Sequence, residues 1–391
     1  MKDEILFRAA GSFGTPCYIF DADIFAARAD AVARTFGGVG LCFSIKANPF
    51  LLNALPDTFD RIEVCSPGEL SICKNAAVPP GKIIFSGVNK TVQDIECAVE
   101  YGAGIFTAES ELHLRLISEC AQRHNTRVKV ILRLAHGSQF GTDREELCRL
   151  IADRENYPGA DIIGLHYFTG TQKSKVRTIE KELALLDELC KELAEKYAFE
   201  PKHIEYGTGL AVEYYKDFTD GTDLSLLEEA AAPVRAFAEK YPLTVEMGRF
   251  FAAECGFYLT RAADIKRTDG TNYVICDGGI NQLNYYGQNL AMKVPPVRRL
   301  GGGEPSEDYC LCGSLCTTAD VLVRKVTLPH LERGDVICFG RCGAYSVSEG
   351  ISLFLSRALP AVAIYSENNG LRLLRPVTDT WQLNTRMNGG I

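Results

Sequence analysis

Eight short apolar runs recur between residues 41 and 247, and amphipathic stretches separate most of them. The runs are LCFSI (41–45), RIEVC (61–65), KIIFS (82–86), GIFT (104–107), VKVILRL (128–134), DIIGLHYF (161–168), HIEY (203–206) and LTVEM (243–247). The helical patterns are clearest at 109–124, 174–197 and 224–241. Eight strands interleaved with helices over about 200 residues is the arithmetic of a closed (β/α)8 barrel. An open doubly wound sheet fits less well, having no reason to stop at eight. The expected class is therefore α/β, with the barrel at 25–249.

Beyond residue 250 the pattern changes. Strand-like runs such as ECGFYLTRAADIKRT, TNYVICDGG, ADVLVRKVTLP, GDVICFGRCGAY and LPAVAIY follow one another across turns, without long amphipathic helices. We expect 250–391 to form a mostly β domain that also takes in 1–24, where GTPCYIFDAD reads as a strand.

Charge narrows the function classes. With 42 Lys and Arg against 50 Asp and Glu, the net charge is −8, too acidic for a chain that grips nucleic-acid phosphates. No apolar run reaches the roughly 18 residues of a membrane span, and MKDEILFRAA carries charges where a signal peptide is apolar. A cytoplasmic location is the expectation. The 15 cysteines are an odd number and are expected to be reduced thiols. Cys310, Cys312 and Cys316 cluster, but no fourth ligand completes a zinc site, so no metal is expected.

Barrels of this kind carry their chemistry at the C-terminal ends of the strands and often bind phosphate after strands seven and eight. The reactive residues at those ends are Lys46, Arg133, His166 with Phe168, Gly207-Thr208-Gly209, and Glu246-Met247-Gly248-Arg249. Two glycine-containing loops at the phosphate corner suit an anion cradle of backbone N–H groups. A lysine beside such a corner, its pKa lowered by desolvation, is suited to a Schiff base with an aldehyde, and pyridoxal phosphate supplies both aldehyde and phosphate. Glu246 ends an apolar strand, where it pairs either with Arg249 or with a cationic pyridine nitrogen. His166 and Phe168 share a strand face, facing either the core or a flat cofactor ring.

These residues lie within a longer set of motifs: TPCYIFD (15–21), FSIKAN (43–48), EVCSPGEL (63–70), LHYFTGTQ (165–172), YGTGLAVEYY (206–215), EMGR (246–249), CDGGIN (276–281), GSLCTTAD (313–320) and GDVICFGRCGAYSV (334–347). With them, the chain resembles the fold-type III pyridoxal phosphate decarboxylases, the group of diaminopimelate, ornithine and carboxynorspermidine decarboxylases, over nearly its whole length. The resemblance implies an alanine racemase-like TIM barrel plus a C-terminal β domain. It implies Lys46 as the Schiff-base lysine, Glu246 as partner of the pyridine nitrogen, and Gly207, Gly209, Gly248, Arg249 and Tyr345 at the phosphate, with Arg133, His166, Phe168, Thr171 and Thr208 also at the cofactor. Cys316 resembles the cysteine that a neighbouring subunit inserts to protonate the carbanion, which implies a head-to-tail homodimer with shared active sites.

The departures concern the substrate. Phe168 stands where the family commonly has a second His, and Thr208 and Ala211 replace preferred glycines. Thr317 follows Cys316 where diaminopimelate decarboxylases usually have Glu and ornithine decarboxylases Asp. With LHYFTGTQ and LCTTAD, this is most similar to a branch acting on amino acids carried on an acyl carrier protein or on citrate. The expected activity is decarboxylation of a small-molecule α-amino acid, free or carrier-linked, with Thr317 and Asp320 near its far end. Arg298 or Arg299 would meet an acidic group there, and Glu349 or Asp320 an ammonium. The alternatives are a diaminopimelate decarboxylase of lysine synthesis, an amino-acid racemase, and a catalytically silent regulator of the same fold.

Overall fold

The computed structural model describes residues 1–216 and 224–386, which divide into two compact units. One consists of 28–212 and 224–251, the other of 1–27, 213–216 and 252–386. The chain begins with helix α1 (Asp3–Phe13), strand β1 (Cys17–Asp21) and helix α2 (Ala22–Phe36).

The first unit is a closed barrel of eight parallel strands: β2 (Gly40–Ser44), β3 (Arg61–Val64), β4 (Ile83–Phe85), β5 (Ile105–Ala108), β6 (Val128–Leu134), β7 (Ala160–Phe168), β8 (His203–Gly207) and β9 (Leu243–Met247). β9 pairs back on β2, with Cys42 opposite Glu246, so the ends of the first and last strands are neighbours. Helices α3 (Pro67–Asn75), α4 (Val92–Tyr101), α5 (Glu111–Arg123), α6 (Arg144–Ala152), α7 (Val176–Tyr197) and α8 (Ser225–Ala238) alternate with the strands, and a short α9 (Arg249–Ala252) follows β9. Short polar side chains start several of them by accepting otherwise unpaired N–H groups. Ser66 caps α3, Ser110 caps α5, Asp143 caps α6, and Thr91 forms a reciprocal box with Asp94 at α4. Inside the barrel, Cys42, Ile84, Ile105, Ile131 and Ile163 pack as one buried cluster drawn from five strands.

The second unit is a nine-stranded sheet. Its strands are β1, β10 (Gly256–Thr268), β11 (Thr271–Cys276), β12 (Val297–Arg299), β13 (Glu307–Cys312), β14 (Val321–Leu328), β15 (Val336–Phe339), β16 (Ala361–Ser366) and β17 (Gly370–Arg375). β1 is buried along its whole length between antiparallel β10 and parallel β16. The sequence pattern shows neither α1 nor β12, β13 and β17. Helix α1 buries Leu6, Ala9 and Ala10 in the core with Ile19, Leu259 and Cys338, and Phe13 packs partly buried beside them, too small an apolar face to stand out. β13 is the segment read as a cysteine cluster. Cys310 and Cys312 lie 3.8 Å apart, sulfur to sulfur. Among the described residues, no group of three or more His, Cys, Asp or Glu is arranged to hold a metal, and no helix is long and apolar enough to cross a membrane.

Candidate active site

The C-terminal ends of β2, β3, β7 and β9 bring four ionisable side chains together. Lys46 sits in the 3₁₀ turn Ile45–Ala47 that follows β2, and its Nζ lies 2.8 Å from Glu63 Oε2 and 3.9 Å from Glu246 Oε1. It also donates to Cys65 Sγ at 3.5 Å, and that thiol donates to Glu63 Oε1 at 3.3 Å. Burial works to lower the Lys46 pKa, but the negative charges of Glu63 and Glu246 outweigh it and hold the amine well above its ordinary value. The expectation of a lowered lysine pKa is therefore corrected. Desolvation is present, but two carboxylates accompany it. Glu63 and Cys65 were not singled out in the sequence, where they read as alternate positions of one strand.

Glu246 is buried at the end of β9. Ser44 donates to its Oε1 at 3.0 Å, and His166 Nε2 stands 3.0 Å from Oε2, within ion-pair distance although without hydrogen-bond alignment. Burial pushes the Glu246 carboxyl up. His166, Lys46 and Ser44 more than offset this, so it ionises below the usual carboxylate range. Of the two pairings read from sequence, Arg249 is not among these neighbours. Arg249 Nε instead donates to Thr171 Oγ1 at 3.3 Å, which joins the ends of β7 and β9.

His166 and Phe168 project from the same side of β7. The Phe168 ring lies against Gly207 so closely that a Cβ there would come within 2.4 Å of it. Gly209, at φ +60°, has the Gly170 carbonyl oxygen 2.1 Å from where a Cβ would be, and Gly248 would meet Ala47 at 2.9 Å. Between these glycines the Thr208 hydroxyl is buried without a partner among the described residues.

A second buried cluster forms at the ends of β4, β5 and β6. Arg133 pairs with Glu109 at 2.9 Å and stacks on Phe140 at 4.5 Å, while Lys90 donates to the Gly87 carbonyl. Burial lowers the Lys90 pKa to about 8. Arg133 is the residue expected at the cofactor, whereas Lys90 and Glu109 were not recognised.

Cys316, Thr317, Asp320 and Tyr345 belong to the second unit. Cys316 and Thr317 are exposed in the bend after β13. Asp320 is buried, accepting the N–H of Ile280 at 2.8 Å and of Leu315 at 2.6 Å, so its carboxylate ties two loops together. Tyr345 has φ +69° and its carbonyl accepts from Ser348 and Glu349. Arg298 pairs with Asp3 and Arg299 with Asp335, so both arginines have acidic partners within the sheet unit.

Against known proteins, residues 22–253 match the family described as pyridoxal-dependent decarboxylase, pyridoxal binding domain. The chain is 28% identical over 394 residues to the L-glutamyl-[BtrI acyl-carrier protein] decarboxylase of Niallia circulans, covering 93% of this chain and 91% of that one. It is 25% identical over 389 residues to the diaminopimelate decarboxylase of Aquifex aeolicus, covering 94% and 90%. The crystal structure of diaminopimelate decarboxylase from M. jannaschii in complex with L-lysine superposes with a TM-score of 0.83 at 25% identity, over 95% of this chain and 92% of that one.

Proposed function

Since the chain belongs to the pyridoxal-dependent decarboxylases, a family of lyases, we propose that it removes the carboxylate of an amino acid of the diaminopimelate kind. The sequence motifs alone favoured a carrier-linked substrate. Diaminopimelate decarboxylases recur among both the curated relatives and the solved structures, and this supports the other alternative better.

Bound pyridoxal phosphate supplies the electron sink that accepts the pair left by departing carbon dioxide. Lys46 holds the cofactor through Nζ, and Glu63 at 2.8 Å takes up and returns the lysine proton. Glu246, ionised and steadied by Ser44 and His166, would pair with the cofactor's ring nitrogen. Phe168 and His166 flank the ring. Thr171, Thr208 and Arg249 would hold the phosphate at the glycine corner. The partnerless Thr208 hydroxyl and the cramped Gly207, Gly209 and Gly248 suit a backbone cradle. Cys316, from a neighbouring subunit of a homodimer, would supply the proton that takes the place of the lost carboxylate.

The observation that carries this reading is the ionised, buried carboxylate of Glu246 beside Lys46. A racemase of this fold has an arginine at the ring nitrogen, which weakens the sink. A silent regulator has no need to keep both Lys46 and Cys316. The test of the shared site is to mix inactive Lys46→Ala and Cys316→Ala chains. Random pairing makes half the dimers mixed, each with one intact site, so up to about a quarter of wild-type activity returns. Sites built within one chain give no rescue.

One observation favours a second reading of the substrate. Thr317 places no charge where relatives acting on basic substrates have a carboxylate, and the Niallia circulans relative is named for a carrier-linked glutamyl group. Loss of a buried carboxylate–ammonium pair typically costs about 2–5 kcal/mol. A kcat/KM for meso-diaminopimelate of about 10⁴ M⁻¹s⁻¹ or more supports the diaminopimelate reading. A weak value that rises in Thr317→Glu supports the carrier-linked one.

A further inference from the structure

Lys173, in the loop after β7, is buried with Glu182 of α7, and their charged groups lie 2.7 Å apart. Glu182 also accepts from Thr169 Oγ1 and from the Tyr206 hydroxyl, so this buried carboxylate has three donors. An ion pair this enclosed is no cheap source of stability, because both charges lose their water. Its geometry supplies another use. The Lys173 ammonium donates to the Gly207 carbonyl at 3.4 Å, and the Lys173 backbone N–H donates to the Gly209 carbonyl at 2.8 Å. The Ala211 N–H returns a bond to the Lys173 carbonyl at 3.1 Å, and Gln172 makes a two-way pair with the Val212 backbone. In a planar trans peptide the C=O and the following N–H point in opposite directions. Holding the Gly207 and Gly209 carbonyls toward Lys173 therefore turns the N–H groups of Thr208 and Leu210 to the other face of the loop. Glycine at 209 lets the chain take the φ of +60° that this requires.

We propose that Lys173, braced by Glu182, is a positioning residue for the phosphate cradle, aiming the amides of the 207–210 loop at the cofactor's phosphate. The inference rests on the reading that the phosphate occupies this corner. With Glu182 neutralising the ammonium, Lys173 acts through the loop rather than as a phosphate ligand.

The test compares pyridoxal phosphate with pyridoxal, which lacks the phosphate. Full-length holoenzyme is equilibrated against graded concentrations of each, and bound cofactor is followed by its absorbance. The wild type is expected to prefer pyridoxal phosphate strongly. In Lys173→Met that preference falls about 10- to 100-fold, while pyridoxal binding changes by less than about threefold. Because Lys173→Met leaves Glu182 without its counter-charge, Lys173→Met/Glu182→Gln is measured in parallel and is expected to lose the same preference. An unchanged preference in the variants, whether both cofactors weaken equally or neither does, overturns the inference. A wild type that does not distinguish the two overturns the placement of the phosphate, and the inference with it.

Discussion

The barrel and the C-terminal sheet use their buried polar groups in different ways. At the barrel's strand ends, Lys46, Glu63, Glu246 and His166 face one another, as do Glu109 and Arg133, so ionisable side chains are one another's main partners, although Lys90 donates to the Gly87 carbonyl. In the sheet unit, Asp320 accepts from two backbone N–H groups, and the Tyr18 hydroxyl lies against the carbonyls of Gln282 and Ser346. Side chains that satisfy each other can pass protons and respond to a ligand's charge. Side chains committed to backbone hold loops in place. The contrast teaches that burial of a carboxylate does not by itself mark chemistry, since one committed to backbone N–H groups serves to fasten loops.

The largest effect belongs to the barrel cluster. Lys46→Ala is expected to lower decarboxylation by roughly three or more orders of magnitude. Borohydride reduction of the wild-type holoenzyme, followed by mass spectrometry, should find the pyridoxyl group on Lys46. An adduct on another lysine would break the assignment of the barrel as the chemical unit.

Next comes a cost that the barrel carries. Burial lowers the Lys90 pKa from the lysine value of 10.5 to about 8. Between these values the unfolded chain binds more protons, so this group's contribution to stability rises with pH, and below about 8 the cost is present in full. Lys90→Met should therefore raise stability at neutral pH by up to about 3 kcal/mol, and the gain should shrink as the pH approaches the ordinary lysine value. Melting curves of both proteins at about pH 7 and about pH 9.5 decide this. A gain that is constant across pH would show that packing, not charge, is responsible.

The smallest expected effect tests the sheet. Asp320→Asn keeps one acceptor and loses the other, which should cost about 1–3 kcal/mol of stability. The Lys46 adduct should still form. If the adduct were lost instead, Asp320 would belong with the charged clusters of the barrel.

The barrel was legible because its signal is local. Strand-length apolar runs and helical periodicity lie within windows of a dozen residues, and the observed strands start and end within a few residues of the runs read from sequence. Lys46, His166, Phe168, Glu246 and the glycine loops stood out because each ends a recognisable strand. Lys90 and Glu109 did not, since nothing near them in sequence separates them from solvated residues, and Glu63 and Cys65 read only as alternate positions of the run RIEVC. Nor did β12 and β17, which are short and less than fully buried, so their alternation carries little contrast.

What the sequence determined by itself is the count of strands, the change to β structure after residue 250, and the residue types at the strand ends. Only closure of the barrel decided which of those residues meet. It brings position 46 to position 63 across one strand pair and to position 246 across the seam where the last strand joins the first. The same closure reversed the expected direction of the Lys46 pKa. Desolvation can be anticipated from one apolar run, but the opposing charges come from strands far apart in the chain, and a Coulomb interaction depends on distance in space rather than along the sequence.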